Sequence, residues 1–389
     1  MNPNPNSPPQ LRSVLTGLSG NEMWCLHQKG FAPGDVVIGN SVHSLGFLGG
    51  IGAGLQNIFG GEVTNITSII HDGRQASYER MLNEARQRGR VGIAGVTSEL
   101  KHFRGNIEFL SVASCLHSEK SGGPEEVAFT SDCDGQELYC LMDAGYTPVK
   151  FVFGNVAYSI GVGGGLLGGL KSLARGEIRE YSDVFNATRH LALERIMNEA
   201  HSAGANAVLA IDTRIMPFQG VHEMLMMGTA ARHPALENGP MRGKVVSSDL
   251  TAEEMWNLAS MGYAPMKLVL GTAVYSLGVI GGLMSAFKSL VRGEISDLTS
   301  LIYDAREHAL GLLRREADAL GADDIVGIRT HVHEFQGLIE FMAIGTAVKR
   351  MPGIGTVSPT LPSQAIIRDR ETWISDDDLF VTRVNDPNS

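Results

Sequence analysis

Apolar residues along this chain recur with two periods, and the switch between them happens three times. At Ile295, Leu298, Ile302, Ala309, Leu313 and Ala317 the spacing follows threes and fours, which predicts a long helix with one buried stripe. The stripe returns at Ile178, Tyr181, Phe185, Ala192, Ile196 and Ala200, and earlier at Val63, Ile66, Ile70, Met81 and Ala85. Gly204 and Gly321 stop the later two helices. Beyond them, segments such as Ile325-Val-Gly-Ile-Arg-Thr330 and Leu338-Ile-Glu-Phe-Met-Ala343 flank Phe335-Gln-Gly337 as a predicted hairpin.

A short helix precedes each such block. Ser19 with Glu22, Asp134 with Glu137 and Thr251 with Glu254 have the spacing of an N-cap and a third-position glutamate that satisfy each other's backbone donors. Gly30, Gly145 and Gly262 suit the helix ends, and strands such as Pro148-Val-Lys-Phe-Val-Phe153 follow. Pro33, Pro148 and Pro265 lie 115 and 117 residues apart, and the register then holds without gaps through Gly61-Glu62, Gly176-Glu177 and Gly293-Glu294. The fold class expected is therefore α+β: three tandem βαββ two-layer units, each preceded by a short capped helix. The expected divisions are a flexible leader (1–12), unit 1 (13–117), unit 2 (127–233), unit 3 (244–350) and a disordered acidic tail (351–389). The linkers 118–126 and 234–243 are rich in glycine, proline and charge, which suggests some independence between units.

Composition narrows the function classes. Hydrophobic residues make up 43% of 389, enough for several cores, and a net charge of -10 without a basic run gives nucleic acid no electrostatic footprint. The leader MNPNPNSPPQ lacks the pattern of a secretory signal, and the four cysteines contain no C-x-x-C pair, so a cytoplasmic protein with reduced thiols is expected. Charged residues interrupt the apolar stretches before about 18 residues, the length a spanning helix needs.

The repeat also tests candidate chemistry, because a site common to the units should recur. Gly163, Gly165 and Gly168 match a dinucleotide-binding pattern, but their counterparts are Ile280, Gly282 and Ser285, and Leu48, Gly50 and Ala53. Leu170 precedes Lys171 where a phosphate loop needs glycine, so nucleotide binding is rejected. What recurs there is small size, at Gly164, Gly165, Gly281 and Gly282, which suggests close packing against a neighbour. Cys25 and Cys140 are equivalent but meet Asn257 in the third unit, and no Cys-His arrangement recurs for nucleophilic catalysis. His331, His333 and Glu340 could hold a divalent transition metal, since alternate strand residues share a face, although His331 maps to Arg214 and Glu99.

The recurring polar residues include Glu62, Glu177 and Glu294; Arg74, Arg189 and Arg306; Glu84, Glu199 and Glu316; and Glu108, Glu223 and Glu340. The first set suits a helix N-terminus, and the others are expected to form ion pairs between units.

The run Gly321-Ala322-Asp323-Asp324-Ile325-Val326-Gly327-Ile328 and the closing Gly345-Thr346-Ala347-Val348 resemble the YbjQ family, named for heavy-metal binding, and the resemblance extends to all three units. It implies a dodecin-like βαββ sandwich and, by similarity to single-domain members, closed rings of five units. It implies no defined reaction. Unit 1 departs most, with Arg88-Gly89-Arg90-Val91 and Ala113-Ser114-Cys115 in place of the family's segments, which implies an altered contact surface.

The function expected is a non-enzymatic homo-oligomer or scaffold without a cofactor. Three units do not divide a ring of five, so chains would close a different ring, such as two chains making six units, or distribute units among rings of a cage or lattice. A metal- or small-ligand-binding protein is the alternative. A second is membrane-surface association through Leu166, Leu167, Leu170 and Leu173, though these lack the usual basic companions. The tail around Ser375-Asp-Asp-Asp-Leu-Phe380 offers a docking motif for a protein partner, or only solubility.

Overall fold

Capping decides where each unit starts. The computed structural model describes residues 13–44, 61–87, 92–103, 106–118, 127–159, 176–218, 221–276, 296–335 and 338–367. Unit 1 comprises α1 (Gly20–Gln28), β1 (Phe31–Ser44), β2 (Gly61–Glu62), α2 (Thr64–Gln87), β3 (Gly92–Phe103) and β4 (Asn106–Ser118). Unit 2 repeats it as β5 (Phe129–Thr130), α3 (Gly135–Asp143), β6 (Thr147–Ser159), β7 (Gly176–Glu177), α4 (Arg179–Ser202), β8 (Ala207–Phe218) and β9 (Val221–Arg232). Unit 3 follows as β10 (Val246–Ser247), α5 (Ala252–Ser260), β11 (Tyr263–Ser276), α6 (Ser296–Leu320), β12 (Asp324–Phe335) and β13 (Leu338–Arg350). All three predicted capping boxes are present, at Ser19, Asp134 and Thr251. The expected α+β units are thus observed. The leader, Gly164, Gly165, Gly281, Gly282, Glu294 and residues 368–389 lie outside the described residues.

In each unit the long helix lies across an antiparallel sheet whose last strand is central, as β1-β4-β3, β8-β9-β6 and β12-β13-β11. Proline shapes the first strand: it has no N–H to give the ladder, and the register shifts after Pro33, Pro148 and Pro265. At Gly39, Gly154 and Gly271 the helix comes so close that an added Cβ would meet helix atoms, within 2.3 Å of Ala192 O in the second unit. That position is equivalent in all three copies, and only the absence of a side chain permits the approach.

The sheets do not end at unit boundaries. β2 extends the sheet of unit 2 at β6, and β7 extends that of unit 3 at β11. In the opposite sense, β5 pairs in parallel with β3, and β10 with β8. Bulges at Gly95 and Ala210, both with positive φ, turn the next amides toward the following unit: Val96 N–H donates to Ser131 O and Ile211 N–H to Ser248 O, each at 2.9 Å.

Two expectations need correction. Residues 351–367 are not disordered: Met351 and Ala365 are buried, and the Gln136 amide donates to Ile367 O at 2.8 Å. Residues 234–243 are not a loose linker, because two 3-10 turns bury Leu236 and Met241 in the core shared by α1, α3 and α5. In both cases a few apolar side chains outweigh a polar, proline-rich composition. Asp143, at the end of α3, joins the parts: it accepts from Lys29 Nζ at 2.8 Å, Trp256 Nε1 at 2.8 Å and Ser358 Oγ at 2.9 Å. Burial pushes the Asp143 carboxyl up, but these donors outweigh it and hold it below the usual value.

Candidate functional site at the junctions between units

The long helix of each unit has two working faces. One stripe covers its own sheet, and in units 1 and 2 the adjacent stripe covers the first strand of the next unit. Tyr78, Met81 and Ala85 of α2 share one apolar cluster with Phe151, Phe153, Leu225 and Met227 of unit 2. The cluster around α4 takes in Leu268, Leu270, Val274 and Ile344 of unit 3 in the same way. A unit therefore buries part of its core only by lying against its neighbour.

At the centre of each junction is a charge pair reached by no solvent. Arg74 of α2 donates from Nε and Nη2 to Glu223 of β9 at 3.1 and 2.8 Å, and from Nη1 to Ser98 O at 2.9 Å. Arg189 of α4 donates from Nη2 to both oxygens of Glu340 in β13, at 2.8 and 2.9 Å, and to the Tyr158 hydroxyl at 3.0 Å. Burial pushes the Arg189 guanidinium down, but Glu340 and Tyr158 outweigh it and keep it above its usual value. Burial likewise pushes the Tyr158 hydroxyl up to about 12. Charges this deep are tolerated only when paired and hydrogen-bonded, so each pair specifies one way of docking the units.

Polar groups on the same helix face finish the edge strand. The Thr67 hydroxyl accepts from Ala157 N–H at 2.9 Å, and the Ser182 hydroxyl, its counterpart, from Val274 N–H at 2.9 Å. Asn186 takes both the N–H and C=O of Thr272, at 2.9 and 2.8 Å. Farther out, Arg195 forms an ion pair with Glu62 at 2.8 Å, and His308 Nδ1 lies 3.1 Å from a Glu177 carboxylate oxygen. Grooves of about 490 and 250 Å³ run between successive long helices. Among the charged groups that line them, Lys150 pairs with Glu199 and Arg195 with Glu62.

The sequence candidates fall into distinct places. Arg189 and Glu177 bridge units 2 and 3, as just described. Glu199 instead binds inside its own unit, accepting from Lys150 Nζ at 2.6 Å and Phe153 N–H at 2.9 Å. Glu316 does the same with Lys267 and Leu270 N–H, and also reaches His190 of unit 2 at 3.5 Å. The hydrogen bond to Glu316 raises the His190 imidazole above its usual value. Arg306 is exposed, and among the described residues no carboxylate pairs with it. His331 and His333 lie parallel with ring centroids 6.3 Å apart, and Glu340 is directly opposite His333 in the strand register. Glu340, however, is committed to Arg189, and the described residues contain no group of three His, Cys, Asp or Glu side chains that could hold a metal ion. All four thiols are buried, and burial pushes that of Cys25 up to about 12, far from a nucleophile's range.

Sequence reasoning missed Asp143 and the close-approach glycines. The glycines carried a signal, since Gly39, Gly154 and Gly271 occupy one position of the repeat. Asp143 carried none, because its side-chain partners come from the other two units and the C-terminal segment.

The family described as "Putative heavy-metal-binding", YbjQ, matches at residues 32–114, 146–233 and 262–351. The chain belongs to the YbjQ family. The YbjQ matches begin within or just before the first strand of each unit, so the short capped helices lie outside them. Similar proteins include encapsulin nanocompartment protein Rv1762c of Mycobacterium tuberculosis, 29% identical over 253 residues, 63% of this chain and 92% of that protein. Single-unit relatives include a UPF0145 protein of Clostridium novyi, 39% identical over 87 residues, 22% of this chain and 82% of its own. Another, from Thermoplasma volcanium, is 45% identical over 60 residues, 15% of this chain and 49% of its own. Among the described residues no helix is long and apolar enough to cross a membrane.

Proposed function

We propose that this chain is a non-enzymatic, self-assembling protein whose YbjQ units build a ring or a larger homo-oligomer. The observation that carries the reading is the junction itself. A helix roofs the neighbouring sheet and locks it with a buried Arg–Glu pair, so each unit is a module for association. Similarity over most of a nanocompartment protein supports the same class of role. The test is mass photometry with negative-stain electron microscopy of the purified chain. A defined oligomer is expected, and a stable monomer at micromolar concentration overturns the reading.

A second reading, binding of a divalent transition metal, is favoured by the parallel imidazoles of His331 and His333 facing one side of β12. It requires Glu340 to leave Arg189 or the ion to accept two protein ligands. Titration with zinc, followed by calorimetry on the wild type and on the His331→Ala, His333→Ala double variant, tests it. Stoichiometric binding that the double variant loses supports it, and no binding removes it.

A further inference from the structure

The two internal junctions leave a matching half-junction at each end of the chain. At the first end, the face of β1 that corresponds to roofed strands in units 2 and 3 is bare. Ile38 is 46% exposed, whereas its counterparts Phe153 and Leu270 are 3% and 2% exposed. Val42 is 51% exposed, and its counterparts Ala157 and Val274 are fully buried. Glu108, the counterpart of Glu223 and Glu340, is half-buried rather than buried and accepts from the Asn40 amide at 3.0 Å instead of from an arginine.

At the other end, the roofing stripe of α6 is left largely exposed. Its inner positions Ala305, Ala309, Leu313 and Ala317 are buried on the sheet of unit 3. Thr299, Arg306 and Leu310 occupy the positions of Ser182, Arg189 and Leu193, all three of which α4 buries; here Thr299 and Arg306 are exposed and Leu310 half-buried. Tyr303, in the place of Asn186, is 62% exposed.

The strand additions leave the same pair of halves. β3 and β8 each receive a strand, β5 or β10, from the unit that follows. Among the described residues no strand adds to the equivalent edge of β12, and Ile328 is 48% exposed, while Val96 and Ile211 at that position are 3% and 2% exposed. Val14 and Leu15, the counterparts of Phe129 and Thr130, project at 46% and 71% exposure ahead of unit 1.

We infer that these halves meet between two copies of the chain. The α6 helix of one copy lies across β1 of the next, Arg306 pairs with Glu108, and Val14–Leu15 adds in parallel to the β12 edge. The inference rests on the self-assembly reading and supplies its contact. The occupant is a second copy because the two surfaces complement each other in charge, in shape class and in hydrogen-bonding edge, and because the chain already joins this pair of surfaces twice within itself. The contact is head to tail, so it repeats until a ring closes or a filament grows.

A reciprocal charge reversal tests the contact. R306E, at an exposed position, and E108R, at a half-buried one, are made as separate variants of the full chain, and thermal unfolding checks that both stay folded. Each variant alone has like charges at every contact and is expected to run as a monomer, its association weakened about a hundredfold or more. In a mixture, the R306E carboxylate faces the E108R guanidinium, and the native Arg306 of one variant faces the native Glu108 of the other. Alternating chains therefore restore assembly at equal stoichiometry. If the wild type assembles but R306E assembles equally well, or the mixture remains monomeric, this contact is wrong while self-assembly stands. A monomeric wild type removes the self-assembly reading and the contact together.

Discussion

Arg189 of α4 and Glu340 of β13 are 151 residues apart in the chain, yet the guanidinium meets both carboxylate oxygens, at 2.8 and 2.9 Å, in a space with no solvent. Removing one partner leaves the other charged and buried. Arg189→Ala or Glu340→Ala is expected to cost about 3–5 kcal/mol, and the apolar pair Arg189→Met with Glu340→Leu far less. Urea unfolding of the three variants measures this; single variants as stable as wild type would show that the pair does not hold the junction.

The glycine beneath each long helix gives a second prediction. In Gly154→Ala the new methyl meets Ala192 O and Ile196 N, backbone atoms that cannot turn aside. A loss of about 1–3 kcal/mol is expected, typical of overpacking. Gly20, where an added Cβ meets nothing within 4 Å, is the control position and should tolerate alanine.

Asp143 ties three units and the C-terminal segment, so Asp143→Ala should release residues 351–367 before it unfolds the sheets. Losing hydrogen bonds to a buried charge costs about 3 kcal/mol. Limited proteolysis should cut first within that segment, and the Trp256 indole, no longer donating to Asp143, should shift its fluorescence. An unchanged cleavage pattern would count against the hub.

The histidines near the second junction predict how stability changes with pH. Burial lowers the imidazoles of His222, His331 and His333, and positive charge adds to it, from Arg189 at His222 and His333 and from Arg329 at His331. The unfolded chain titrates these groups near about 6.5, so it binds protons before the folded chain does. Stability is therefore full above that value and falls as pH drops through it toward the depressed folded values. His190 works oppositely, since its raised value stabilises below about 6.5 and the gain disappears as pH rises. Urea midpoints at pH 7.5 and 5.5 should show a net decrease, and the decrease should shrink in His222→Asn, His333→Asn.

Thiol reactivity makes a last check. Cys25, Cys115, Cys133 and Cys140 are buried, and burial raises the thiols of Cys25, Cys133 and Cys140. A thiol reagent should label the native protein slowly and all four cysteines after denaturation. Fast labelling of a native cysteine would reopen nucleophilic chemistry.

Much of this molecule was legible in its sequence, because much of it is local or repeated. Capping boxes, helix stripes and hairpins depend on residues a few positions apart, and threefold recurrence separated Arg74, Arg189 and Arg306 from accidents of composition. Recurrence could not say what each residue touches. Glu199 and Glu223 recur equally well, yet Glu199 binds its own strand and Glu223 locks a neighbouring unit's arginine. Likewise the polar stretch after Arg350 has the composition of a tail, and only the core shared by α1, α3 and α5 gives Met351 and Ala365 somewhere to bury.

By itself, then, the sequence determined three βαββ units, their register and the short list of polar positions they share, since periodicity and spacing act along the chain. The tertiary structure alone decided that the units share cores and edges, and that Arg74 and Arg189 pair with Glu223 and Glu340 across them. Those facts depend on which surfaces meet across more than a hundred residues, where burial and charge pairing act through space.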